Sequence, residues 1–308
     1  MDLRGLRYFY EVATQGGFTR AAEVLHVTQP TISKMIRQLE ENLGMRLLVR
    51  THHSVQLTEA GKLLFRHSKE ILRQVATLKS EVDGLRGVVT GELRLAIPPP
   101  LAGGRFLTHE LGKFNRLHPA VGLKVREVGG LAVWDGILSG EWDIGISRPT
   151  INDPRFGYLR LFHEQIDLVV PADHRLAGQQ IGMAEIGEER LVLFPEAFVV
   201  ADRFLDACRS AGLTPHIACT SGQWEFLLGL VEAGVGLAPM PRYLQRHLDP
   251  RRLAQARLQP DIHYELGLAW RADLPLCRAA ECFLALVREE LVAGDTPLLS
   301  PLNRLMPP

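Results

Sequence analysis

The chain has 308 residues, 46% of them apolar and 23% charged, a composition that excludes collagen-like and disordered polypeptides and leaves room for two or three globular domains. No run of ~18 apolar residues suits a membrane span, and the start MDLRGLRYFYEV lacks a signal-peptide core, so a cytoplasmic protein without a membrane partner is expected. Thirty-five basic residues balance thirty-five acidic ones, but the first 90 residues hold 13 Lys and Arg against 9 Asp and Glu, and the remainder 22 against 26; a basic first third, with His26, His52, His53 and His67 added, favours an anionic partner.

Leu6, Phe9, Tyr10 and Ala13 recur at helical spacing and predict a first helix that ends at Gly16-Gly17. Phe18, Ala21, Ala22 and Leu25 predict a second, with two alanines that allow close approach of its neighbours. His26-Val27 is a short turn. Thr28 suits an N-cap, and Pro30 is tolerated in the first turn of a third helix that runs to about Asn42 and stops at Gly44. Along that helix Ile32, Met35, Ile36, Leu39 and Leu43 share one face. Gln29, Pro30, Ser33, Lys34 and Arg37 share the other. Short hydrogen-bonding groups come first, where a helix N-terminus enters a major groove, and the cations follow, where they reach phosphates. Three short helices with a tight turn between the last two make a helix-turn-helix. Arg46–Arg50 and Val55–Leu57, around the tip Thr51-His52-His53-Ser54, then predict two short strands of a wing.

The run F-T-R-A-A-x-x-L-x-V-T-Q-P-T-I-S-x-x-I-R-x-L-E-x-x-L-G-x-x-L-L-x-R, followed by L-T-E-A-G, resembles the LysR-type transcriptional regulators across the whole DNA-binding region. The resemblance implies that Gln29, Pro30, Ser33 and Lys34 face bases or backbone of double-stranded DNA. With the neighbouring polar positions, the expected DNA-contacting set is Arg20, Thr28, Gln29, Pro30, Thr31, Ser33, Lys34, Arg37, Arg50, His52 and His53. Two departures from the family pattern stand out. Leu48 replaces the usual Phe, and His52-His53 replaces an arginine-rich wing.

From Thr58, a candidate N-cap, helical spacing continues to about Leu85. Leu64, Ser68, Ile71, Val75, Leu78, Val82 and Leu85 alternate steps of four and three, the narrow seam of a coiled coil. A helix of ~28 residues spans ~42 Å. Dimerisation through Leu64, Ile71, Val75, Leu78 and Val82 is expected, with Gly84, Gly87 and Gly91 as a hinge; family likeness implies a homotetramer, a dimer of dimers. The expected organisation is a winged helix-turn-helix over 1–58, a linker helix and hinge over 59–91, and an effector domain over 92–308.

Beyond residue 91, strand and helix signals alternate. ELRLAI, LKVREV, DIGIS, IDLVV, RLVLF, HIACT, VGLAPM and HYELGLAW read as strands. Helices are expected over 104–117, 131–139, 202–211, 224–233 and 276–291. The fold class is α/β with mainly parallel strands. The family resemblance implies a two-lobed domain like a periplasmic solute-binding protein, with lobes at 92–161 plus 268–293 and at 162–267. Ligands in such folds sit at strand carboxyl ends between the lobes. The candidate effector residues are Pro99, Pro100, Leu101, Ser147, Arg148, Thr220, Ser221 and Gln223, with Phe198 and Trp224 as walls. The stretches IPPPLAGGRFLTHELGKFNRLHP, VLFPEAFVVADRFLDACRSAGLTPHIA and SGQWEFLLGLVEAGVGLAPMPR are most similar to the CidR branch of the family, a likeness that implies a small organic acid as effector; RNA polymerase is a further expected contact.

Competing functions leave weaker marks. No HExxH, GxSxG or GxGxxG occurs, so no catalytic residue, metal or cofactor is expected. The four cysteines (Cys208, Cys219, Cys277, Cys282) form no CxxC pair and suit buried, reduced thiols. The alternative function is a redox sensor using Cys208 and Cys219, although Arg209 is the one flanking cation.

Overall fold

The computed structural model of the chain describes residues 2–50, 55–84, 88–99, 105–149 and 153–293. It divides into two compact units, Met1–Gly87 and Val88–Pro308.

The first unit opens with α1 (Leu3–Gln15), whose N-cap Asp2 accepts a hydrogen bond from the Gly5 N–H at 2.6 Å and whose C-cap Gly16 is left-handed at φ 68°. Helix α2 (Phe18–Val24) and α3 (Gln29–Leu43) follow, joined through His26 at φ 52°. The core is Tyr8, Phe9, Val12, Phe18, Ala21, Ala22, Ile32, Ile36 and Leu39, completed by Leu47 and Leu48. Leu48 is thus a core residue, as its apolar type requires. Two expectations for α3 need correction. Leu43 is 39% exposed and lies off the buried face. Thr28 occupies the N-cap position, but its hydroxyl bonds the Thr31 hydroxyl at 2.8 Å and caps no helix N–H.

Strands β1 (Leu48–Arg50) and β2 (Val55–Leu57) pair antiparallel. The first is shorter than the expected 46–50; the Glu40 carboxylate accepts from the Leu47 N–H at 2.7 Å just ahead of the ladder and from the Leu48 N–H at 3.2 Å at its first residue. Helix α4 (Glu59–Gly84) then begins at a built corner. The Thr58 hydroxyl donates to the Arg46 carbonyl at 2.8 Å and accepts from the Gly61 N–H at 3.0 Å. At Gly61 the helix passes so near the wing that a Cβ would lie 2.1 Å from the Leu47 carbonyl oxygen. Gly61→Ala is therefore expected to destabilise this unit by ~1–3 kcal/mol, the usual range for overpacking; a thermal melt equal to that of the parent chain would count against the close approach.

The second unit carries an eight-stranded sheet in the order β4-β3-β5-β12-β6-β11-β7, with β10 also on β6, and a two-stranded sheet of β8 and β9. The strands are β3 (Gly91–Ile97), β4 (Val121–Glu127), β5 (Ile144–Ser147), β6 (Phe156–Pro171), β7 (Gln180–Gly182), β8 (Arg190–Leu193), β9 (His216–Thr220), β10 (Ala238–Pro241), β11 (Leu253–Gln259) and β12 (Ile262–Arg271). Helices α5 (Arg105–Leu117), α6 (Gly130–Leu138), α7 (Val199–Ser210), α8 (Trp224–Glu232) and α9 (Arg278–Ala293) cover them.

The expectation of mainly parallel strands is corrected. Among the described residues of this unit β3/β4, β3/β5, β7/β11 and β8/β9 are parallel. Equally many pairings, β5/β12, β6/β12, β6/β10 and β6/β11, are antiparallel. The cause is the pair of long strands β6 and β12, which carry the chain out of the first lobe and back again, and so run antiparallel to each other. Their register shifts between Leu266 and Gly267, where Leu266 faces Phe162 and Gly267 faces Arg160.

Candidate functional site

Helix α3 sorts its residues by face. Ile32, Ile36 and Leu39 are buried, while Gln29, Pro30, Thr31, Lys34 and Arg37 are exposed with Thr28 and Arg20 beside them, and Ser33 is half-buried. Among the described residues no ion pair involves Arg20, Lys34 or Arg37. Their charge is available to an external anion. Arg50 lies in β1. His52 and His53 fall outside the described residues, as do Pro100 and Leu101 of the effector set.

In α4, Leu64 packs against the core of the first unit, whereas Val75, Leu78 and Val82 are 41%, 61% and 48% exposed; Ile71 is half-buried. The seam is therefore apolar and open in the single chain from Val75 onward.

The second unit encloses a cavity of ≈ 220 Å³ between its lobes. Of the expected effector residues, Ser147, Arg148 and Phe198 line it. Ser147 ends β5, and Arg148 follows it with its guanidinium reaching across the cleft. Phe198 is the N-cap of α7 and buries its ring against Phe194 at 5.9 Å between centroids. Pro99 is outside the lining, although Pro98 is part of it. Thr220, Ser221, Gln223 and Trp224 are also outside it. They form the turn from β9 into α8, where the Gln223 N–H donates to the Ser221 hydroxyl at 3.1 Å. That turn stands beside the Phe198 ring, 3.7 Å from where a Cβ on Gly222 would be.

The sequence reading missed most of the aromatic wall. Trp134 on α6 stacks edge-on against Phe156 at 4.6 Å, and Tyr243 does so against Phe162 at 6.5 Å. Tyr264, on β12, completes it. Burial pushes both tyrosine hydroxyls well above their ordinary range, with Glu164 adding to the effect, so they stay protonated. Only Tyr264 left a signal: HYELG alternates exposed and buried residues, which places Tyr264 and Leu266 on one face.

Two contacts join the lobes across the mouth. The Gly130 N–H, at the start of α6, donates to the Ala197 carbonyl at 3.0 Å. A Cβ on Gly130 would come within 3.1 Å of that oxygen. Arg148 Nη1 donates to Asp202 Oδ2 at 2.5 Å. The lining's described charges are thus Arg148 against Asp202 and Glu196.

None of the four cysteines is in a disulfide. Burial raises the Cys208 thiol, with Arg209 opposing weakly, and burial raises Cys282 as well. A peroxide-reactive thiol needs the opposite shift. Among the described residues no group of His, Cys, Asp and Glu could hold a metal ion, and no helix is long and apolar enough to cross a membrane.

Comparison with known proteins covers nearly the whole chain. The family model described as bacterial regulatory helix-turn-helix protein, lysR family, matches residues 3–62, and the LysR substrate binding domain matches residues 86–292. The chain is 36% identical over 286 residues to the HTH-type transcriptional regulator YwbI of Bacillus subtilis, covering 92% of this chain and 95% of that one. Among solved structures it is similar to a full-length OxyR of Pseudomonas aeruginosa carrying a cysteine-to-aspartate substitution, with TM-score 0.73 and 26% identity over 94% of this chain and 95% of that one. Full-length CbnR in complex with its target DNA gives TM-score 0.67 and 26% identity, over 94% and 99%.

Proposed function

The chain belongs to the LysR family of bacterial transcriptional regulators, and on that premise we propose that it controls a promoter in the cytoplasm in response to a small organic acid bound between the lobes of its second unit. It binds operator DNA as a homo-oligomer, a dimer of dimers, and passes its state to RNA polymerase by contact. It acts by binding and not by turnover.

The observation that carries the DNA part is the division of α3 into a buried apolar face and an exposed face of amide, hydroxyl and cationic groups. The effector part is supported by the cavity and by Arg148, the one guanidinium among its described lining. The likeness of the effector domain to the CidR branch supports a carboxylate for it to hold.

Fluorescence anisotropy on the intergenic DNA beside its own gene, with and without a panel of small carboxylates, tests the proposal. Gln29→Ala and Ser33→Ala should narrow the gap between that DNA and a scrambled duplex by ~1–3 kcal/mol. Lys34→Ala and Arg37→Ala should weaken both duplexes alike and lower the salt slope by about one each. Four variants with unchanged binding would mean that α3 is not the reading helix.

A further inference from the structure

We propose that the cavity is built for a zwitterion, namely an amino acid with an aromatic or comparably bulky apolar side chain, and not for a carboxylate alone. The inference rests on the carboxylate reading above and adds the second charge and the side chain.

Charge comes first. Arg148 is the one cation lining the cavity among the described residues, and Asp202 and Glu196 are its two anions. Over those described residues the net is one negative charge. A plain carboxylate would bring a third negative charge to a lining whose described residues offer it one cation. A zwitterion leaves the net unchanged.

Backbone donors point the same way. Pro98, Pro149 and Pro241 stand at or just past the carboxyl ends of β3, β5 and β10, all in the lining. Proline has no N–H to offer an anion. At those three strand ends the backbone gives an anion nothing, which leaves Arg148 as its one charged donor among the described lining, beside the first-turn N–H groups of α6 and α7.

Arg148 and Asp202 also arrive from opposite lobes, the one after β5 and the other in the first turn of α7. The two side chains pair with each other. An α-carboxylate on Arg148 and an α-ammonium on Asp202 replace that bond by two charge-assisted ones, and place the ligand's Cα between the lobes. Exchange of this salt bridge for ligand contacts is then what changes the lobe arrangement, because the bond it breaks is one that holds the mouth.

The side-chain site follows from the walls. Trp134, Phe198, Tyr243 and Tyr264 surround it, three of them held in place by ring contacts to Phe156, Phe194 and Phe162. An apolar cavity of ~150 Å³ accepts benzene. The ≈ 220 Å³ here leaves space for one ring and a short polar head.

Calorimetry on the full chain with L-phenylalanine and L-leucine tests this, each set against the matched acid lacking the amine (3-phenylpropanoate, 4-methylpentanoate) and the matched amine lacking the acid. A charge-assisted bond contributes ~1.5–3 kcal/mol, so at least one amino acid should bind about 10- to 100-fold more tightly than either of its analogues. Asp202→Asn should shrink the preference over the acid to within a few fold. If both acids bind as well as their amino acids, the zwitterion proposal fails and the carboxylate reading stands. If the amines bind best, or no compound of either series binds, both fail.

Discussion

Ile71→Asp combined with Leu78→Asp is expected to leave a monomer that binds its operator about 10²–10⁴-fold more weakly than the parent chain, the usual gain from linking two binding events. Helix α4 has 26 residues, which is ~39 Å of rigid rod. Over its last turns it presents Val75, Leu78 and Val82 to solvent in steps of three and four. Such a row has no reason to be aliphatic unless a second helix covers it, and a carboxylate in the row would be buried unpaired on association. Operator affinity depends on that association, because two reading helices held one helical turn apart bind one site together. The substitutions should spare the fold, since Leu78 is 61% exposed and Ile71 half-buried in the single chain. Sedimentation velocity and anisotropy on the same samples decide the matter. A double variant of unchanged size and affinity would remove α4 from the interface.

The DNA-binding unit was legible in sequence because its information is local. The 3.6-residue period of Ile32, Ile36 and Leu39, the caps at Gly16 and Gly44 and the Thr58–Gly61 corner each act within a few residues or one turn. The effector unit was legible strand by strand but not in its pairing. Continuous apolar runs such as IDLVV announced themselves, whereas the first half of β6, β7 and all of β11 carry mixed polar patterns that resemble loops. Without those strands the sheet looked mainly parallel. The cavity shows the same limit. Ser147 and Arg148 could be found because a strand end is a position in sequence, but the meeting of Trp134, Tyr243 and Tyr264 depends on crossovers separated by over a hundred residues. Asp202 was the costliest omission. As an acidic residue in a helix first turn it has an ordinary explanation in the helix dipole, and only the fold brings it to Arg148.

Asp143→Ala should lower the stability of the second unit by ~3–5 kcal/mol, the cost of stranding one member of a buried ion pair. Arg94, in β3, is 27% exposed and Asp143, just before β5, is 5% exposed. The Asp143 carboxylate accepts from Arg94 Nη2 at 2.6 Å, from its Nε at 3.1 Å and from its backbone N–H at 2.9 Å, while Arg94 Nη1 donates to the Gly140 carbonyl at 3.0 Å. Alanine leaves the guanidinium with one carbonyl and leaves a strand N–H without its acceptor. In a unit of this size the loss corresponds to a melting temperature about 6–20 °C lower. Function should follow stability here, since Asp143 leads directly into the short strand β5, and the lining residues Ser147 and Arg148 stand at its far end. Arg94→Leu with Asp143→Leu separates the two contributions. Removing both charges should recover most of the melting temperature, because desolvation of the pair cancels much of its attraction. If the single variant melts like the parent chain, the pair is solvated in solution and β5 is held by its ladder alone.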